Sequence, residues 1–243
     1  TVTGTNDAPV VTSGKFSDTV TEDTQTTATG AISFTDVDTI DVHTWTVSGG
    51  GTGTYGNLTI DNNGNWQYVL DAVKSNSLHE NQQETETFTV TLSDGKGGTV
   101  SKTIEVSVVG SNDLPTVTGG TTGDVEEDNA SLQKATGTIA IQDPDVPDST
   151  EFKLLGSDTQ TYGTFKIDAA TGEWEFDIKN TAAQALAEGQ EVTHTFTVEI
   201  TDDYNGVITQ DVVITITGDN DQPFISGTQS GDVKEDTTLT TTG

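Results

Sequence analysis

Cysteine, methionine and arginine are all missing from this chain of 243 residues. Without cysteine there is neither a disulfide framework nor a thiolate metal site. Without methionine, Thr1 is not a natural start, and the sequence reads as a piece of something longer. Positive charge is nearly as scarce, because 9 lysines face 39 aspartates and glutamates for a formal net charge of −30. Such a surface cannot bind phosphates, which excludes nucleic acid as a partner. No apolar run approaches the ~20 residues of a membrane-spanning helix, and no signal peptide is visible, so membrane insertion is not expected. Hydrophobic residues make up only 30% of the chain. They are spread in alternating runs, which suits thin β-sandwiches.

What the chain does have is a phrase that returns. Gly4-Thr5-Asn6-Asp7-Ala8-Pro9 comes back as Gly110-Ser111-Asn112-Asp113-Leu114-Pro115 and as Gly218-Asp219-Asn220-Asp221-Gln222-Pro223. Asp7, Asp113 and Asp221 stand 106 and 108 residues apart, too far for a solenoid repeat and right for one small domain. The phrase is therefore a joint, with a first repeat over 1–111, a second over 112–218 and the start of a third over 219–243. That last piece is too short to bury a core of its own. Its Phe224, Ile225 and Val233 alternate like a first strand, and they are expected to order only against repeat 2 or a neighbouring molecule.

Aligned on the joints, the two copies agree throughout. Thr35-Asp36-Val37-Asp38 answers to Gln142-Asp143-Pro144-Asp145, Tyr55-Gly56 to Tyr162-Gly163, Trp66 to Trp174, and Ser93-Asp94 to Thr201-Asp202. Period-two alternation puts Trp66, Tyr68 and Leu70 on one face, and likewise Trp174, Phe176 and Ile178. Phe88, Val90 and Leu92 pair with Ile104, Val106 and Val108 in the same way. The tryptophans are thus core residues rather than a sugar-stacking platform. Only the Ala-rich segment from Thr181 to Gly189 reads as a turn or two of helix. About seven short strands per copy predict an all-β fold of tandem immunoglobulin-like sandwiches. His43, His79 and His194 have no matching positions between copies and are read as surface residues.

Acidic phrases accompany each joint. Glu22-Asp23, Glu127-Asp128 and Glu235-Asp236 follow it closely, Asp36-x-Asp38 and Asp143-x-Asp145 come some 30 residues later, and Asp94 and Asp202 sit in a late turn. In a sandwich of this kind the joint opens the first strand, so the turns after the second and sixth strands lie at its pole. The Glu-Asp pair falls at the opposite pole, facing the next repeat. Glu22 and Asp23, Asn112 and Asp113, and Asp143, Asp145 and Asp202 should therefore converge on one seam. Asn6, Asp7, Asp36, Asp38 and Asp94 form the corresponding set before repeat 1, and Glu127, Asp128, Asn220 and Asp221 the set after repeat 2. Asp41 and Asp148 are weaker candidates. Each phrase could simply cap a turn. Three separately placed acidic groups meeting at one seam call for a counterion, and an all-oxygen donor set is what Ca²⁺ takes, whereas Mg²⁺ suits such a crowded cage poorly. The phrase is not an EF-hand loop, because Asp36-Val37-Asp38-Thr39-Ile40-Asp41 lacks the glycine at its sixth position.

Taken together, Gly4-Thr5-Asn6-Asp7-Ala8-Pro9, Val20-Thr21-Glu22-Asp23, Thr35-Asp36-Val37-Asp38, Tyr55-Gly56 with Gly64-Asn65-Trp66, and Phe88 through Gly95 resemble the VCBS-type repeats of large bacterial surface adhesins of the repeats-in-toxin class. The resemblance covers both copies and the tail. It implies cadherin-like or immunoglobulin-like sandwiches strung by calcium, exported by type I secretion, and serving as an extracellular stalk for distal binding domains. Onto a cadherin-type seam Glu22, Asn112, Asp113, Asp143 and Asp145 carry over, while Asp23 and Asp202 rest on the geometry above. Repeat 2 departs from the pattern in Pro144 and in Asp203-Tyr204-Asn205, which stand where repeat 1 has Val37 and Gly95-Lys96-Gly97. The expected partners are neighbouring repeats of the same chain. The rival expectation is a carbohydrate- or protein-binding module presenting a loop such as Gly49 to Gly53. No enzyme is expected, since no Ser-His-Asp set and no histidine repeats in register. Nor does any lysine recur at a core position for an isopeptide crosslink.

Overall fold

The computed structural model describes residues 1–145, 149–223 and 225–227. The expectations for Asp148, Phe224, Val233, Glu235 and Asp236 lie outside the described residues. Repeat 1 contains β1 (Val10–Gly14), β2 (Ser17–Thr21), β3 (Thr27–Thr35), β4 (Thr44–Val47), β5 (Gly56–Ile60), β6 (Asn65–Leu70), the single turn α1 (Ala72–Ser75), β7 (Gln83–Ser93) and β8 (Thr99–Val109). These form two sheets, in the orders β1-β3-β6-β5 and β2-β8-β7-β4. Repeat 2 follows with β9 (Thr116–Gly119), β10 (Thr122–Glu126), β11 (Lys134–Thr138), β12 (Ala140–Gln142), β13 (Thr150–Leu155), β14 (Thr159–Gln160), β15 (Gly163–Ile167), β16 (Glu173–Ile178), α2 (Asn180–Ala183), β17 (Glu191–Asp202) and β18 (Val207–Thr217). Its sheets run β10-β18-β17-β13 and β11-β16-β15-β14, with β9 paired to β12. Among the described residues, no helix is long and apolar enough to cross a membrane.

Each repeat is a sandwich with its own core. The alternation along β6 buries Trp66, Tyr68 and Leu70 and exposes Asn65, Gln67 and Val69. Facing them, β7 and β8 contribute Phe88, Val90, Leu92, Ile104, Val106 and Val108. Repeat 2 buries the matching set from Trp174 and Phe176 to Val212, Ile214 and Ile216. The tryptophans are core residues as expected, and two of the three indoles are anchored: Trp66 Nε1 donates to the Lys15 carbonyl at 2.8 Å and Trp174 Nε1 to that of Gly120 at 2.7 Å. Gly30 and Gly137 make room for the rings, because a Cβ at either would lie 2.5 Å from the indole.

The strands outnumber the expected seven per copy because the first is split. In repeat 1 the chain leaves β1, which pairs antiparallel with β3, crosses at Lys15 and Phe16, and continues as β2 parallel to β8. Repeat 2 makes the same switch between β9 and β10, and β10 runs parallel to β18. It also breaks its third strand at buried Ile139. Two further expectations need correction. Repeat 1 has a helical turn of its own, because Asp71 caps α1 by accepting from the Val73 amide at 3.1 Å. The three histidines are half-buried and in contact, not free surface groups.

One buried position differs instructively between copies. Glu86 on β7 accepts from the Thr54 and Tyr55 amides and from the Tyr68 hydroxyl, which ties the loop after Gly49 to Gly53 onto the sandwich edge. Its counterpart on β17 is His194, whose Nε2 accepts from the Tyr162 amide at 3.3 Å, with Phe176 in place of Tyr68. The ring lies against Tyr162, Phe176 and Phe196, and burial lowers its pKa from 6.5. A protonated Nε2 has no lone pair for the Tyr162 amide. The unfolded chain therefore binds this proton more tightly than the fold does, and stability is lost as the pH drops below 6.5. Amide protection factors in repeat 2, which correct for the intrinsic pH dependence of exchange, should fall in that acid range. His194→Gln keeps an acceptor that does not titrate, and it should remove this part of the pH dependence; an unchanged profile in the variant would assign the effect elsewhere.

Candidate metal centre at the joint

The parallel pairing of β2 with β8 delivers the acidic residues to the poles. Thr21 lies opposite Val109, and the Glu22 amide donates to the Val109 carbonyl at 2.9 Å. The residue after β2 and the joint after β8 therefore leave the sandwich side by side. Glu22 accepts from the Ser75 hydroxyl of α1 at 3.0 Å and from the Ser111 amide at 3.4 Å, and its carbonyl accepts from the Ser111 hydroxyl. Repeat 2 reproduces the arrangement: Glu127 bonds the Thr217 carbonyl through its amide and accepts from the Asp219 amide at 3.3 Å.

The opposite pole is built just as consistently. In repeat 1 the Asn6 amide side chain donates to Asp94 at 2.8 Å, the Asp7 backbone amide to Asp38 at 2.8 Å, and the Asp38 amide to Asp36 at 2.9 Å. In repeat 2 Asn112 donates to Asp202 at 3.0 Å, Asp113 to Asp145 at 2.8 Å, and Asp145 to Asp143 at 3.1 Å. Pro144 does not disturb the pattern, because the amide in use belongs to Asp145. Nor does Asp203-Tyr204-Asn205: Asp202 accepts from the Tyr204 and Gly206 amides as Asp94 does from those of Lys96 and Gly98. Asn205 takes the left-handed conformation that Gly97 takes in repeat 1, with φ of 69° against 110°.

Six carboxylates are almost fully buried among the described residues, and five of them, Glu22, Asp94, Glu127, Asp145 and Asp202, belong to these poles. Burial raises the pKa of Glu22, with Asp113 and Asp23 adding repulsion. Burial also raises that of Asp113, followed by Asp145 and Asp23. The acids of repeat 1, the joint and repeat 2 therefore act on one another at a single seam. Asn112 Oδ1 and Asp113 Oδ2 are buried there with no partner among the described residues. Asp23 is exposed, in the left-handed conformation at φ 59°.

The outer poles are half-sites. Before repeat 1, oxygens of Asp36, Asp41 and Asp94 lie within 4.8 Å of one another, which promotes Asp41 from a weaker candidate. The Asn6 hydrogen bond lowers the pKa of Asp94, and the bond to His43, 2.9 Å from Asp36, lowers that of Asp36. After repeat 2, burial raises the pKa of Glu127, and Asp221, Asp128 and Asp219 add to it. Asp128 is drawn partly aside, accepting from Asn180 at 2.6 Å and Gln184 at 3.1 Å. Asn220 and Asp221 are exposed. The sequence reading missed Glu80, which accepts from the Asn112 amide at 3.1 Å, and Ser75 and His43. Glu80 has Glu188 as its counterpart, so register between the copies was the available signal.

Raised carboxylate pKa values mean that the fold favours the protonated forms of Glu22 and Asp113. In chelator, the seam should therefore gain stability as the pH falls from neutrality toward 4.5 and 3.8. Asp113→Asn should raise the neutral-pH melting temperature in chelator by about 5 °C and flatten this dependence. A variant that melts lower than the parent in chelator would show that Asp113 is not under repulsion.

The molecule shares this architecture with known proteins. The protocadherin gamma B2 extracellular cadherin domains 1–5 superpose with a TM-score of 0.52 at 15% identity, covering 90% of this chain and 41% of that one. Mouse cadherin-23 EC22–24 gives 0.49 at 17% identity, covering 88% and 67%. The protocadherin gamma B7 EC3–6 structure gives 0.47 at 17%, covering 87% and 51%. This chain thus spans between about two fifths and two thirds of these structures. A search of curated proteins by sequence finds no match. The model of the bacterial cadherin-like domain matches residues 6–110 and again 112–218, and the chain belongs to that family as two tandem copies.

Proposed function

We propose that this chain is a stretch of stalk from a large bacterial cell-surface adhesin, its repeats stiffened end to end by calcium. In this reading Glu22, Asp23, Asn112, Asp113, Asp143, Asp145 and Asp202 hold Ca²⁺ between repeat 1 (1–111) and repeat 2 (112–218). Asn6, Asp7, Asp36, Asp38, Asp41 and Asp94 receive a preceding repeat, and Glu127, Asp128, Asn220 and Asp221 offer the same to the repeat begun at 219. The stalk is extracellular, exported by type I secretion, and holds binding domains elsewhere in the parent chain away from the cell, in settings such as biofilm.

The observation that carries the reading is the pair of buried joint oxygens, Asn112 Oδ1 and Asp113 Oδ2, that no described protein donor satisfies. Leaving a buried polar group unpaired costs about 1–3 kcal/mol, and more when it is charged. A cation at the seam removes that cost together with the repulsion among Glu22, Asp23, Asp113 and Asp145. The donor set fits the ion, consisting only of carboxylate and amide oxygens on loops, the flexible multidentate arrangement that Ca²⁺ prefers and Mg²⁺ does not.

At free calcium a hundred times the dissociation constant, each site adds roughly 2.7 kcal/mol. The melting temperature should accordingly drop by many degrees in chelator and not be restored by Mg²⁺; identical melts with and without calcium would sink the proposal. Shape should respond as well. Small-angle scattering is expected to show a longer, sharper maximum dimension in calcium, and the double variant Asp113→Ala, Asp145→Ala should lose that change while both sandwiches stay folded. If the double variant extends like the parent, the ion is bound elsewhere.

A further inference from the structure

A second contact crosses the joint, and it involves no carboxylate. The imidazole of His79, from the loop between α1 and β7, lies parallel to the ring of Tyr204, from the β17–β18 hairpin, with centroids 5.1 Å apart and planes 10° from parallel. Both residues are half-buried. Asn112 places the two loops. Its backbone amide donates to Glu80, next to His79, and its side-chain amide to Asp202, which in turn accepts from the Tyr204 amide at 2.9 Å. The stack thus sits beside a three-way clip made entirely of protein hydrogen bonds.

The other poles do not carry the pair. Where repeat 2 has Tyr204, repeat 1 has Lys96, and where repeat 1 has His79, repeat 2 has Ala187. A preceding repeat therefore meets a lysine, and a following repeat meets an alanine. Offset stacking of two rings is favourable and keeps its strength without any ion.

We infer that His79 and Tyr204 form a latch that holds these two repeats in register independently of any cation. When calcium is withdrawn and the seam carboxylates repel, this joint retains an aligned fraction that joints without the pair lack. Stiffness along the stalk is then graded from joint to joint by the identity of these two loop residues.

The absence of cysteine allows clean labelling for the test. Spin labels at Thr103→Cys and Thr209→Cys, exposed positions one in each repeat, report the inter-repeat distance distribution in chelator. The parent should show a narrow, aligned component beside the broad one that carboxylate repulsion produces. His79→Ala and Tyr204→Lys, each the residue that the sister repeat tolerates at the same place, should each lower the aligned fraction by a factor of roughly 2 to 10, the range expected for one aromatic pair. The double variant should keep as large an aligned fraction as either single one. A parent with no aligned component in chelator, or single variants whose aligned fraction equals the parent's, overturns the latch. Because every arm is measured without calcium, failure of the latch and failure of the calcium reading are separable: a parent with no aligned component in chelator that narrows on adding calcium rejects only the former.

Discussion

The parallel pairing of β2 with β8, and of β10 with β18, is the constraint from which the rest follows. An antiparallel partner would return the first strand to the pole it came from. A parallel one obliges the residue after it to leave beside the residue after the last strand, which is the joint. Glu22 and Glu127 are consequently fixed by ladder hydrogen bonds next to Ser111 and Asp219. The switch of sheets that makes the pairing possible occurs at Lys15 and at Gly120, where each carbonyl is held by the buried tryptophan of its own core. Core packing and pole chemistry are thus linked through one strand.

That link explains how so acidic a chain stays compact. A net charge of −30 spread evenly would repel over the whole surface. Here five of the six buried carboxylates among the described residues are concentrated at the poles, where backbone amides and the side chains of Asn6, Asn112 and Ser75 take part of their charge. The flanks instead expose threonines and serines from the alternating strands, such as Thr85, Thr87, Thr89 and Ser101. Repulsion is therefore gathered at the joints, which makes alignment between repeats more sensitive to pH and ions than the folding of any one repeat.

Much of this was legible because it rests on periodicity. Alternation fixed the faces of Trp66, Tyr68, Phe88 and Val90, and the even spacing of Asn-Asp-x-Pro marked the joints. The convergence of Asn112, Asp113, Asp145 and Asp202 followed from knowing which turns share a pole. What could not be read depends on single local contacts. The turn α1 is one residue longer than a bend and is held by one Asp71 cap, too little for a helical period to show. His194 looked like a surface residue because its role is clear only beside Glu86, whose own burial no pattern announces. Glu80 lies in a loop, where alternation says nothing about direction.

The two copies also serve as a control on one another. At the interior position of Glu86 and His194, the fold keeps only the capture of one backbone amide, that of Tyr55 or Tyr162, and lets the side chain change from carboxylate to imidazole with its neighbour changing from Tyr68 to Phe176. The late hairpin is equally free: Gly95-Lys96-Gly97 becomes Asp203-Tyr204-Asn205 while the same two amides still reach the leading aspartate. Capturing amides is thus a task this fold assigns to whatever acceptor is at hand. Yet at the poles Asn6 and Asn112, Asp7 and Asp113, Asp36 and Asp143, Asp38 and Asp145, and Asp94 and Asp202 are identical in both copies. Turn capping alone would have been served by serine or asparagine at several of these places. Acids kept where neutral acceptors would cap as well and repel less are what the proposed common positive partner at the joint requires.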